Sequence, residues 1–137
     1  MIDLKAVNHT NRELELMVSG AKPLAMFYAF ISELPDEGFI PEDSFAPYVQ
    51  EGRFIREEIV IEGLDHLPQL GKNAPIKYVF FAMTQEAWRI PAMILLKRSF
   101  RNSSYKWNET LERMESALLG YTDEEIDAWC KARFTAA

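Results

Sequence analysis

A chain of 137 residues with 48% apolar and 26% charged side chains has the composition of a folded globular protein, not of a disordered tail. Its 15 Lys/Arg stand against 21 Asp/Glu, a net charge of −6, which disfavours nucleic acid as a partner. No apolar run approaches the ~18 residues of a membrane span, and Cys130 has no second cysteine to pair with, so a cytoplasmic protein with no membrane partner is expected.

The charge is unevenly spread. Residues 1–75 hold 6 Lys/Arg against 13 Asp/Glu, whereas residues 76–137 hold 9 against 8. The opening Met1-Ile2-Asp3-Leu4-Lys5 lacks the basic-then-apolar layout of a secretory signal.

Thr10-Asn11-Arg12-Glu13 has the form of a capping box, and Leu14, Met17 and Val18 follow at helical spacing until Gly20. Pro23 then precedes the run Leu24 to Ile31. Its aromatic and apolar content without a polar face predicts a central strand covered on both sides; the rival is a helix with Pro23 at its first position. Pro35, Gly38 and Pro41 punctuate a loop over 32–41, and a short helix is predicted around Glu42–Glu51, closed by Gly52. Phe54 to Glu62 alternates, with Ile55, Ile59 and Ile61 on one side and Arg56, Glu58 and Glu62 on the other, as a half-buried strand does.

Residues 63–75 form a long connection, and Ile76 to Met83 reads as a strongly apolar strand. Thr84–Ala87 is short enough for a hairpin turn, with Trp88 to Leu96 returning as a fourth strand. Pro91 would place that strand at an edge or a bulge, and a helix through it would cost ~3 kcal/mol. Asn102-Ser103-Ser104 breaks the pattern. Trp107, Leu111, Met114 and Leu118 then stack on one helix face, Gly120 suits a left-handed C-cap, and Thr122-Asp123-Glu124-Glu125 is a capping box. Ile126, Trp129, Cys130 and Phe134 supply the stripe of a closing helix. The expectation is one α+β domain over residues 1–137, a mainly antiparallel four-stranded sheet covered by about four helices and ending in a C-terminal helix pair.

Templates for chemistry mostly fail. All six glycines are isolated, so no loop can converge several backbone N–H groups on a phosphate. His9, His66 and Cys130 lack paired spacing, so neither a metal site nor a cofactor is expected, although carboxylates for magnesium are plentiful. No Ser lies in a Gly-x-Ser-x-Gly elbow, and Cys130 falls on an apolar stripe where a thiol is an inert small hydrophobe. Asp65-His66 is the one adjacent acid–imidazole pair. Glu57 alternates with isoleucines and would need Lys77 or Arg89 beside it if that face is buried.

The acidic stretch suggests more. Glu33, Asp36, Glu37, Glu42 and Asp43 are interleaved with Phe39, Phe45 and Tyr48, the pattern of a surface that steers and anchors a basic protein partner. The basic stretch Lys97, Arg98, Arg101 and Lys106 beside Tyr105 and Trp107 could instead grip nucleic acid, but four cations at a turn are commonly just solvated. The two stretches could also face each other across a homodimer. The expected function is a small non-catalytic protein-binding protein of inhibitor, immunity or regulatory type, using residues 33–51. The alternative is a small enzyme or ligand binder with a polar cleft near Glu57, Asp65, His66 and Arg89.

Overall fold

Three antiparallel strands form the sheet, in the order β1-β3-β2, where β1 is Leu24–Phe30, β2 is Phe54–Ile61 and β3 is Ile76–Met83. The computed structural model describes residues 8–30, 40–61, 75–101 and 106–134. The described residues also hold five α-helices: α1 (Glu13–Val18), α2 (Glu42–Gln50), α3 (Arg89–Arg101), α4 (Glu109–Leu119) and α5 (Asp123–Phe134). The α+β class therefore stands, and the fourth strand does not.

The register explains which side chains meet. Leu24 lies opposite Ala82 and Tyr28 opposite Tyr78, while Ile55 and Ile61 lie opposite Ala82 and Ile76. Strand side chains alternate between faces. One face therefore gathers Leu24, Ile61, Ile76, Phe80 and Ala82, which pack under Ile90, Met93 and Leu96 of α3 and Leu111, Leu118 and Leu119 of α4. The other gathers Ala25, Phe54, Val79 and Phe81 under Met17 of α1 and Phe45 of α2. Helices on both faces make three layers, with α5 packed against α4.

Two expectations need correcting. Trp88 to Leu96 is not a strand: a short 3₁₀ turn over Thr84–Glu86 leads into α3, which runs through Pro91. Pro91 is the third residue of that helix. The first four N–H groups of a helix have no partner within it, so the missing donor costs nothing there; the ~3 kcal/mol penalty belongs to helix interiors. The run Leu24–Phe30 is a strand, as predicted, but an edge one; the central strand is β3, in which Tyr78 to Ala82 are all buried. The edge position shows in burial, since Tyr28 of β1 is 57% exposed although Leu24, Ala25 and Ala29 are buried, so an apolar run alone does not mark a central strand.

Local signals fared unevenly. Glu125 donates its backbone N–H to Thr122 Oγ1 at 3.1 Å and accepts the Thr122 N–H at 2.8 Å, the reciprocal bonds of a capping box. Gly120 adopts φ +94°, and a Cβ there would meet Pro23 Cδ at 2.3 Å, so the position needs glycine twice over. Thr10, by contrast, caps nothing: α1 begins after Arg12 without a side-chain cap, and Asn8 Oδ1 accepts the Thr10 N–H instead. The predicted connection over 63–75 lies outside the described residues, apart from its last position. No helix among the described residues is long and apolar enough to cross a membrane.

Candidate functional site

The acids and aromatics of the predicted partner surface divide between the two sides of α2. Glu33, Asp36, Glu37 and Phe39 lie outside the described residues. Phe45 is 1% exposed and stacks on Phe81 with ring centroids 4.3 Å apart, and Tyr48 stacks on Phe54 at 5.2 Å. These rings are held by the sheet, because the apolar positions of a short amphipathic helix must face it. Asp43 is exposed, and Glu42 is clasped by Arg56 through two hydrogen bonds of 2.8 and 2.6 Å. A groove of about 450 Å³ opens between α1 and α2, floored by Leu14, Phe27, Pro41 and Phe45 and edged by Glu13 and Glu15. Phe45 thus serves as the floor of a groove instead of a protruding anchor.

Of the residues expected at a polar cleft, the structure describes Glu57 and Arg89. Asp65 and His66 lie outside the described residues. Glu57 is exposed on the edge strand β2, opposite Phe80. Lys77 pairs with Glu58 at 3.5 Å, not with Glu57. Arg89 donates to the carbonyls of Ala117 and Leu118 at 3.0 and 3.1 Å, satisfying acceptors at the end of α4, and its guanidinium also bonds Glu86. Arg89 therefore fastens α3 to α4.

Buried polar groups cluster elsewhere, at α4, α5 and the turn before α1. Lys22 is 2% exposed and His9 is 8% exposed. The Lys22 ammonium donates to His9 Nδ1 at 2.9 Å and to the Leu119 carbonyl at 2.7 Å, at the electronegative end of α4. The His9 ring stacks on Tyr121 at 3.7 Å, and its backbone N–H donates to the Tyr121 hydroxyl at 3.1 Å. Burial drives the His9 pKa down to about 4, helped by the neighbouring Lys22 charge. Burial likewise lowers Lys22 to about 8, against the pull of Glu13 and Glu125. At neutral pH an ammonium therefore faces a neutral imidazole.

Beside this cluster lies a cavity of about 240 Å³ between the 8–10 turn, α4 and α5, lined among others by Glu112, Glu115, Ser116, Tyr121, Glu125 and Trp129. Glu112 is its most constrained member. One carboxylate oxygen accepts from the Trp107 indole at 2.7 Å and from Arg133 at 2.8 Å, and the other accepts from the Trp129 indole at 3.1 Å. The two tryptophans predicted to pack inward thus converge on one carboxylate, and Trp129 keeps 38% of its surface exposed. Glu115 is ion-paired with Lys97 of α3.

Sequence reasoning missed this region for a definite reason. Its groups come from residues 8–22 and 107–133, and no spacing rule links those segments. Within α4 the inward face carries Glu112 and Ser116, both buried, while Met114 from the expected apolar stripe is 49% exposed. A polar residue on the inner face of a helix looks in sequence like part of the wet face. Cys130 is buried, and burial raises its thiol pKa, which suits packing. Among the described residues no group of three or more His, Cys, Asp or Glu gathers to hold a metal ion. No family model matches the sequence, and no curated relative or solved structure matches it.

Proposed function

We propose that the chain is a small cytoplasmic, non-catalytic protein-binding protein of inhibitor, immunity or regulatory type, and that the α1/α2 layer receives a basic partner. One observation carries this reading: the groove between α1 and α2 has an apolar floor and an acidic edge, and neither helix contains a single Lys or Arg. An apolar floor supplies affinity, while like-signed charge at the rim steers encounter and selects the sign of the partner. Asp43 of α2 would add to the same field.

Affinity capture on the immobilised protein tests it. The expected partner is basic, elutes as salt is raised to about 0.5 M, where charge is screened within a few ångströms, and is lost from a Glu13→Gln, Glu15→Gln, Asp43→Asn variant that still folds. A partner retained equally by that variant and at high salt would refute it.

A further inference from the structure

We infer that His9 and Lys22 form an acid-released latch: a proton taken up by the imidazole drives the 8–12 turn off the junction of α4 and α5 while the sheet stays folded. The Lys22 ammonium lies 2.9 Å from His9 Nδ1, and both side chains are buried. An ammonium has three donors and no acceptor, so Nδ1 must offer a lone pair and the imidazole must be neutral, with its one proton on Nε2. The next proton can therefore go only to Nδ1. There it would set two donors and two positive charges against each other at hydrogen-bond distance, away from water. The amine is the stronger base, so Lys22 keeps its own proton and cannot relieve the conflict by giving it up.

The contact yields on the His9 side. Lys22 also donates to the Leu119 carbonyl at 2.7 Å, at the electronegative end of α4, and Glu13 of α1 and Glu125 of α5 favour its charge. His9 sits in a turn whose neighbouring residues Asn8, Thr10 and Asn11 are exposed. Besides Lys22, it meets the Tyr121 ring, on which it stacks, and the Tyr121 hydroxyl, to which its backbone N–H donates. Of the charges that face the imidazole, Lys22 and Arg12 oppose a second proton and Glu125 favours it. Burial raises the Tyr121 pKa, with Glu13, Glu125 and Glu112 adding to the effect, so that hydroxyl does not titrate in acid.

Opening stays local because the flanking elements are fastened by groups without a titrating proton. Met17 holds α1 to one face of the sheet, and Leu111, Leu118 and Leu119 hold α4 to the other. Ambient acidity thus governs whether the turn before α1 remains docked on the last two helices. This device rests on no assumption about the groove between α1 and α2.

Histidine NMR and hydrogen exchange on the whole chain test it. The His9 ring should titrate well below its ordinary 6.5, and its contact with the Tyr121 ring, read as a cross-ring NOE, should vanish across the same midpoint. An imidazole that titrates at about 4 when latched and 6.5 when free makes the open form about tenfold more populated at pH 5.5 than at pH 7.5. Protection of the His9 amide should fall by that factor, while the β3 amides keep theirs. His9→Gln retains an acceptor for the ammonium but takes no proton, so its amide protection at position 9 should not change between the two pH values. Lys22→Met should let His9 titrate closer to 6.5. A His9 ring titrating at 6.5 or above in the folded chain would overturn the latch. So would a Tyr121 contact that survives the titration, a β3 protection lost at the same midpoint, or a pH dependence that persists in His9→Gln.

Discussion

The two sides of the sheet solve the same packing problem with different materials. Under α1 and α2 the interior is aromatic: Phe45 meets Phe27 edge-on, Phe54 at a tilt and Phe81 stacked, and charge is kept outward, as in the Arg56–Glu42 and Arg56–Glu58 pairs. Around α4 and α5 the interior admits Glu112, Ser116, His9 and Lys22. Aromatic burial is non-directional and indifferent to pH. Buried polar groups are stabilising only while each finds its partner, and they tie stability to protonation. The lesson is that a face built from rings tolerates sequence drift at its rim, whereas a face built from paired charges requires specific neighbours.

Truncating the ring cluster should give the largest effect. Phe45→Ala removes a side chain that touches Phe27, Phe54 and Phe81, and should cost about 3–5 kcal/mol in denaturant unfolding. If Phe45 were a surface anchor the loss would be within ~0.5 kcal/mol. The same variant should leave the shape of the stability–pH curve unchanged.

The polar side should set that shape. His9 has a folded pKa near 4, below its ordinary value of 6.5, so the unfolded chain binds its proton first as pH falls. Stability is full above about 6.5 and declines towards 4, by on the order of 2–3 kcal/mol from this group. Lys22 is also depressed, from 10.5 to about 8, so its contribution rises between pH 8 and 10.5. Chemical denaturation across pH should show both slopes, and Lys22→Met should abolish the alkaline one while Phe45→Ala keeps it. A flat curve above pH 8 in the unmodified protein would break the contrast between the two faces.

The smallest effect sharpens it at the boundary of α5. Thr122→Ala deletes one half of the capping box and should cost about 1 kcal/mol, read as a shift in the denaturant midpoint at constant slope. This site was readable from sequence because a cap is decided within four residues. Gly120 was readable for the same reason, although its clash with Pro23 was not.

Elsewhere local and distant physics disagreed. Pro91 argues against a helix until its position within the first turn is known, and that depends on where the 3₁₀ turn at Thr84–Glu86 delivers the chain. The alternation of Glu57 with three isoleucines marked the correct face of β2, yet an edge position leaves Glu57 exposed. The cavity was invisible because its acids sit at helical positions that normally face solvent, and because Tyr121 and His9, 112 residues apart, become neighbours only in the folded chain.

Those long separations have a kinetic meaning. The bonds from Lys22 to Leu119 and from His9 to Tyr121 act as a clasp between the early chain and its final hairpin of helices, spanning 97 and 112 residues. Closing so large a loop is entropically rewarded only after the strands between have assembled. The clasp therefore fastens late, and its strength governs how slowly the native protein comes apart more than how quickly it forms.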